Sequence, residues 1–140
     1  MVSKVFLDIN VLLDFFLKRT EFESVEQLLL RAKKREIKVY VSSSILQTTS
    51  YYLQKSYDTH TCKLLLLEFL RLAHVIEASQ ETIHQALKSS IDDIEDAIHY
   101  FTALTHEMDY LVSSDKQFQK VAISNLPILS IEDMDKKLSQ

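Results

Sequence analysis

The 140-residue sequence contains no glycine at all, and it has only one proline and one cysteine. Without glycine it cannot form a Walker-type phosphate loop or a dinucleotide-binding fingerprint, because both need glycine where the backbone approaches phosphates. The single Cys62 offers neither a disulfide framework nor a cysteine metal site, which predicts a reducing, cytoplasmic location. No apolar run is long enough for a membrane span, and we expect no membrane segment and no signal peptide.

The length and charge set further bounds. A chain of this length fits one domain, and we expect residues 1–140 to form it. The formal net charge is −4, so no global positive field attracts nucleic acid. An anionic substrate would therefore need a local basic patch or a bound cation to offset this charge.

Short apolar or β-branched runs alternate with segments of helical periodicity along the whole chain. Strands are predicted at 5–7, 37–41, 74–77, 110–112 and 127–130. Helices are predicted at about 11–17, 21–35, 45–57, 59–73, 79–87, 92–107 and 116–120, and from 131 onward. This alternation predicts an α/β fold, a three-layer α/β/α sandwich around a five-stranded, mostly parallel sheet of Rossmann-like topology. In the helix at 59–73 we expect Leu64 to Leu67 and Leu70 to be buried.

Two aspartates directly follow predicted strands. Asp8 ends the first strand, and Asp115 comes just after the fourth. Because parallel strands end at one edge of a sheet, where such folds gather their ligand groups, we expect these carboxylates to lie close together.

A third acidic group, Asp93, Glu95 and Asp96, stands at the start of the sixth predicted helix. Such acids can cap the helix and interact favourably with the positive end of its dipole. Alternatively, one of them can lie beside Asp8 and Asp115. Neighbouring Glu95 and Asp96 point about 100° apart, so they cannot both reach one site without distortion. The spacing predicts a buried stripe of Ile94, Ile98, Phe101 and Thr105, with Asp96, Tyr100 and Ala103 in a row on another side of the helix.

Carboxylates that converge in a partly buried notch repel one another and raise at least one pKa. A divalent cation removes this conflict. A set of hard oxygen ligands, with no cysteine and no histidine at a strand end, suits Mg²⁺ or Mn²⁺ rather than Zn²⁺. Such ions can activate water and stabilise a leaving oxygen, which is the chemistry of phosphodiester hydrolysis.

Three motifs together resemble the PIN domain family, the ribonuclease fold of VapC-like toxins in type II toxin–antitoxin systems. They are Phe6 to Asp14 (FLDINVLLD), Asp93 to Tyr100 (DIEDAIHY) and Tyr110 to Phe118 (YLVSSDKQF). The resemblance covers almost the whole chain. It implies a five-stranded parallel sheet, one or two Mg²⁺ or Mn²⁺ ions, cleavage of RNA, frequent homodimers and, for toxins, an antitoxin protein partner.

The resemblance also assigns roles to single residues. It implies that Asp8, Asp96 and Asp115 are the metal-binding and catalytic acids. Supporting roles are implied for Asn10, Asp93, Glu95 and Ser113. The family's second acid, usually a glutamate after the second strand, is missing here, because Gln47, Thr48 or Thr49 falls at that position. Losing that charge weakens cation binding unless Asp93 or Glu95 compensates.

Three functions stay open at this point. The first is a metal-dependent endoribonuclease, the toxin of a toxin–antitoxin pair. The second is a PIN-like module that binds RNA or a partner without cutting. The third is a haloacid-dehalogenase-like phosphohydrolase, although that chemistry wants a second carboxylate where Asn10 stands.

Several side chains have competing interpretations. The five histidines show no zinc-type spacing and no obvious partner, and we interpret them as surface or helix residues. Core packing is favoured over base stacking for Tyr51, Tyr52 and Tyr100. The run from Arg31 to Arg35 (RAKKR) is either a solvated helix end or a contact for RNA phosphates.

Overall fold

The computed structural model describes residues 2–123 and 125–140. Within them the strands are β1 (Ser3–Leu7), β2 (Ile37–Ser42), β3 (Ala73–Ile76), β4 (Tyr110–Val112) and β5 (Ile128–Leu129). The helices are α1 (Ile9–Phe16), α2 (Phe22–Lys33), α3 (Ser43–Leu53), α4 (Thr59–Leu70), α5 (Gln80–Lys88), α6 (Ile94–Thr105), α7 (Lys116–Gln119) and α8 (Ile131–Leu138). No helix of the described ranges has the length and apolar character needed to traverse a bilayer.

The five strands form one sheet in the order β3-β2-β1-β4-β5, and every neighbouring pair is parallel. The predicted α/β fold is therefore confirmed. From β1 the chain moves outward through β2 to β3, and it then returns to the other side of β1 to form β4 and β5. The order thus reverses between β1 and β4, which is where open α/β sheets form a crevice at the carboxyl ends of their strands.

The helices pack in two groups. Helix α2 contacts α1 and α8, α1 also contacts α3, and α5 contacts α6. Right-handed crossovers place these two groups on opposite faces of the sheet. The centre of the sheet is covered on both faces, since Val5, Phe6 and Leu7 of β1 are completely buried. A buried Tyr100 side chain on α6 donates a hydrogen bond to the Leu126 carbonyl at 2.8 Å and so fixes that helix to the loop before β5.

The helix starts follow from short polar side chains. Ser42 accepts a hydrogen bond from the backbone N–H of Ile45, Ser79 does the same for Thr82, and Asp93 for Asp96. These three residues are the N-caps of α3, α5 and α6.

Because the chain has no glycine, other residues take the left-handed backbone conformation at its helix ends. The left-handed backbone positions just beyond α1, α2 and α6 are occupied by Lys18, Arg35 and Glu107, with φ of 51°, 63° and 58°. Glycine normally fills such positions, and any other residue costs roughly 1 kcal/mol there.

The burial expected for α4 is wrong for three leucines. Leu64, Leu67 and Leu70 are exposed, and the helix is instead anchored by buried Cys62 and Phe69. Helix α4 is apolar around most of its circumference, so periodicity could not select the single narrow face that contacts the core.

The stripe predicted for α6 is also wrong. Ile94 is 62% exposed, Thr105 is exposed, and Ile98 and Phe101 are only half-buried. The buried face instead carries Ala97, Tyr100 and Ala103. The row that contains Asp96 and Tyr100 is therefore the one that turns toward the sheet.

The aromatic residues of α3 also differ from the expectation. Tyr51 and Tyr52 are exposed rather than part of the core, whereas Tyr100 is buried as predicted. Lys55 lies over the Tyr51 ring, with its Nζ 4.4 Å from the centroid. The two tyrosines and this lysine thus form an exposed aromatic and basic surface.

Candidate functional site

Asp8 lies at the junction of the two central strands. Its backbone N–H donates to the Val112 carbonyl of β4 at 3.0 Å, which continues the parallel ladder one step beyond β1. Asp8 is the residue before α1, yet its side chain makes no helix-cap hydrogen bond. The carboxylate is instead held by Ser113, whose Oγ donates to Oδ2 at 2.7 Å. Asp8 is only 4% exposed, so this carboxylate is a buried acid at the carboxyl edge of the sheet.

Ser113 connects Asp8 to Asp115. Its completely buried Oγ donates to Asp8 and accepts a hydrogen bond from the backbone N–H of Asp115 at 3.1 Å. Asp115 is half-buried and caps α7, since its Oδ1 accepts from the N–H groups of Gln117 and Phe118 at 2.9 and 3.3 Å. The two acids that follow β1 and β4 therefore lie close together, as strand topology predicts, and one serine links them.

Asp96 belongs to α6, the helix that precedes β4. It lies in the first turn of α6, where the Asp93 cap fixes its backbone, and it shares a helix face with Tyr100 and Ala103. Both of those residues are completely buried. Asp96 itself is half-buried, at the edge between the core and solvent.

The environment of Asp96 raises its pKa from 3.8 to about 7. Desolvation by burial is the largest cause. The negative charges of four neighbouring carboxylates add to it, in the order Asp93, Asp8, Asp115 and Glu95. Asp96 therefore lies within electrostatic reach of both strand-end aspartates, and nearby like charges keep it from ionising easily.

Opposing effects act on Asp8. Burial raises the pKa of its carboxyl group, and the charge of Asp115 adds to the rise. Hydrogen bonds from Ser113 and from the backbone of Ile9 lower the pKa, as does the charge of His99. This acid is thus expensive to ionise, and its neighbours partly offset that cost.

His99 is a residue of the site that the sequence analysis missed. It is 4% exposed, its Nε2 lies 3.3 Å from Oε1 of Glu95, and its charge acts on Asp8. His99 is a helix residue, as the sequence indicates, but the expectation that no histidine has an obvious partner is wrong for it. Its spacing held the signal, since residues four apart on a helix are neighbours and His99 follows Glu95 by four.

The remaining predicted residues lie around these acids. Asn10 is half-buried in the first turn of α1, two residues after Asp8. Asp93 and Glu95 are exposed, and both add negative charge to the surroundings of Asp96.

Helix α3 supplies no carboxylate to the site. Gln47 is exposed, and the Thr48 hydroxyl donates to the Ser44 carbonyl at 3.1 Å. Thr49 is completely buried and its hydroxyl donates to the Ile45 carbonyl at 2.7 Å. Both threonine hydroxyls therefore bond within their own helix, and the missing second acid has no replacement on α3.

The donor chemistry of the site fits a hard divalent cation. The acids offer carboxylate oxygens, and their mutual repulsion is the conflict that a cation relieves. Across residues 2–123 and 125–140, no three His, Cys, Asp or Glu side chains are close enough together to form a metal centre. An ion such as Mg²⁺ keeps several waters and needs only one or two protein carboxylates, and Asp8 and Asp115 are a pair of carboxylates that Ser113 links.

Comparison with protein families gives one clear match. The sequence profile of the PIN domain matches residues 4–117, which is most of the chain. A comparison with curated protein sequences found no match.

Solved structures share the fold at low sequence identity. VapBC2 from Rickettsia felis, bound to a DNA fragment from its promoter, has 20% identity and a TM-score of 0.69 over 90% of this chain and 97% of that chain. The Mycobacterium tuberculosis toxin VapC20, described as cleaving the sarcin-ricin loop, has 11% identity and a TM-score of 0.66 over 88% and 98%. FitAcB from Neisseria gonorrhoeae has 16% identity and a TM-score of 0.62 over 91% and 98%.

The profile match and the strand order agree with the resemblance seen in the sequence. The chain belongs to the PIN domain family.

Proposed function

We propose that this protein is a metal-dependent endoribonuclease that hydrolyses RNA phosphodiester bonds. The observation that best supports the proposal is the link that Ser113 makes between Asp8 and Asp115 at the β1–β4 crevice. Burial raises the pKa of Asp96, and the charges of nearby carboxylates, Asp8 and Asp115 among them, add to that rise. Family membership supports the same reaction, as does the likeness to a structure described as a loop-cleaving toxin.

The three aspartates would hold Mg²⁺ or Mn²⁺. Such an ion, when bound, lowers the pKa of a water and stabilises developing charge on the leaving oxygen. The side chains have separate tasks in this scheme. Ser113 orients the Asp8 carboxylate, the α7 amides orient Asp115, and the Asp93 cap sets the first turn that carries Asp96. His99 and Glu95 would support Asp8 and Asp96 from within α6.

The cellular role that fits best is the toxin of a toxin–antitoxin pair. One of the similar structures is described as a toxin, VapC20, and two others are named VapBC2 and FitAcB. We infer that this chain likewise has an antitoxin partner, acts in the cytoplasm as a homodimer and forms one domain over residues 1–140.

The test is cleavage of a labelled RNA by protein first stripped of cations with EDTA. We expect no cleavage until Mg²⁺ or Mn²⁺ is added, and no cleavage by Asp8→Asn under any of these conditions. Asp92→Asn is the matched control, because it removes an exposed carboxylate four residues before Asp96 and should leave cleavage intact. Cleavage that persists in Asp8→Asn would overturn the proposal.

A second candidate is a PIN-like module that binds RNA or a protein without cutting. The absence of a carboxylate on α3 favours it, because each lost charge weakens cation binding. Calorimetry separates the two candidates, since a non-catalytic module predicts no divalent-cation binding. Turnover of a small phosphomonoester would instead favour the haloacid-dehalogenase-like alternative, which membership of the PIN family disfavours.

A further inference from the structure

A second charged site lies at the opposite edge of the sheet. A cavity of about 560 Å³ opens where β1, β2 and β3 begin and where α2 and α4 end. We name it the basic cavity, and its charged or titratable lining residues are Lys33, Arg35, Lys38, Arg71 and His74. No acidic residue is among its described lining residues, although the protein as a whole has a net charge of −4.

The positive charge of the basic cavity exceeds what its two helix ends can absorb. Each helix C-terminus contributes about half a negative charge. Glu68 pairs with Arg71 at 3.4 Å, while no other lining cation has an ion pair within the part of the chain that the structure describes. The four lysine and arginine charges, less one for Glu68 and about one for the two helix ends together, leave a net charge of roughly +2. Favourable interaction with the helix dipoles therefore does not account for the whole cluster.

Aromatic surface adjoins the cations. Lys38 and Tyr40 lie on one face of β2, and Tyr40 is in register with His74 on β3. The Tyr40 and His74 rings are 5.1 Å apart at an angle of 34°. Basic side chains next to exposed ring surface are typical of sites for single-stranded nucleic acid, where phosphates bind to the cations and bases stack on the rings.

We propose that the basic cavity binds the phosphodiester backbone of RNA at a distance from the cleavage site. This inference rests on the proposed ribonuclease function. The five residues of β1 span about 17 Å between the two edges of the sheet, so only an RNA long enough to pass around the molecule reaches both. A dinucleotide that fills the carboxylate crevice cannot reach the basic cavity.

The chain offers a pair of substitutions that separates binding from folding. Arg35→Gly removes a cation at a left-handed position, φ 63°, where glycine is preferred, so the fold should keep or gain stability. Lys38→Gln removes an exposed cation from β2. The matched control is the double variant Lys63→Gln/Lys136→Gln, which loses two exposed charges elsewhere on the surface.

The experiment measures binding of a labelled single-stranded RNA by anisotropy in EDTA, where the RNA stays intact. We expect Arg35→Gly/Lys38→Gln to weaken binding about tenfold at low salt, and to reduce the slope of log K against log salt by roughly 1.4, since each phosphate contact contributes about 0.7. The control double variant should change binding less than about twofold.

An equal loss of RNA affinity in the two double variants would overturn the inference. It would also fall if the Arg35 and Lys38 double lost binding to polyglutamate but kept its affinity for RNA, because the ligand would then be an acidic protein.

Cleavage kinetics give an independent comparison. With Mg²⁺, Arg35→Gly/Lys38→Gln should raise KM for a long RNA about tenfold and leave kcat unchanged, and it should not alter cleavage of a dinucleotide. Unchanged KM for the long RNA would refute the inference and leave the proposed function standing. If no variant cleaves RNA, the proposed function fails, while the binding measurement in EDTA still decides whether the basic cavity holds RNA.

Discussion

Replacing Asp96 with asparagine should stabilise the cation-free protein at neutral pH. The Asp96 pKa is about 7 in the folded chain against 3.8 for the ordinary group, because burial and four nearby carboxylates disfavour its charge. The folded state therefore binds this proton more tightly than the unfolded chain does. Stability from this source is complete below about pH 4 and is lost as the pH rises through 7. Asparagine keeps the shape and has a similar helix propensity, but it carries no charge.

The size of the effect follows from the pKa difference. At about 1.4 kcal/mol per pH unit the full difference would correspond to roughly 4 kcal/mol. Asp96 is half-buried and solvent screens its neighbours, so we expect about 1–2 kcal/mol at pH 8. For a chain of this size that is a gain of roughly 3–6 °C in Tm.

The assay is thermal unfolding of wild type, Asp96→Asn and the control Asp92→Asn in EDTA, at pH 4 and pH 8. We expect Asp96→Asn to match wild type at pH 4 and to exceed it at pH 8, while Asp92→Asn follows wild type at both. Added Mg²⁺ should then stabilise wild type more than Asp96→Asn. An Asp96→Asn advantage that is absent, or that is the same at both pH values, would show that burial and the neighbouring carboxylates do not raise the pKa of Asp96.

Three further substitutions probe the groups around the acids. Ser113→Ala removes the donor that holds Asp8, so we expect about 1–2 kcal/mol less stability by chemical denaturation and weaker Mg²⁺ binding by calorimetry. His99→Gln removes a charge that lowers the pKa of Asp8, so the acid limb of the cleavage pH profile should move to higher pH. Thr48→Glu restores a carboxylate at a half-buried position of α3 and should tighten Mg²⁺ binding about tenfold, whereas exposed Gln47→Glu should have a smaller effect. Equal effects of these last two would show that the missing acid does not belong at position 48.

The sheet and the meeting of two acids could be predicted because both depend on topology alone. Alternating strands and helices leave a parallel sheet as the simplest solution, and a parallel sheet brings the ends of β1 and β4 to one edge. Asp8 and Asp115 are therefore neighbours whatever their side chains do. The particular link between them, the hydroxyl of Ser113 on the Asp8 carboxylate, joins residues 105 positions apart and has no local signal in the sequence.

The orientation of the helices could not be predicted in the same way. Helical periodicity shows which residues of α6 and α4 share a face. It does not show which face is buried, because both helices carry apolar residues on more than one face. Only packing decides that Tyr100 turns inward and Ile94 outward, or that Phe69 rather than Leu67 meets the core. That choice also turns His99 inward. The spacing in the sequence pairs it with Glu95, but only the packing shows that its side chain is buried beside the acids.

The most direct test of the shared cation site is a Mn²⁺ titration of the RNA-free protein, followed by electron paramagnetic resonance or calorimetry. We expect wild type to bind Mn²⁺. Asp8→Asn, Asp96→Asn and Asp115→Asn should each weaken this binding by about tenfold or more, while Asp92→Asn should not. Binding that is indifferent to all three substitutions, or that depends on only one of them, would contradict this expectation.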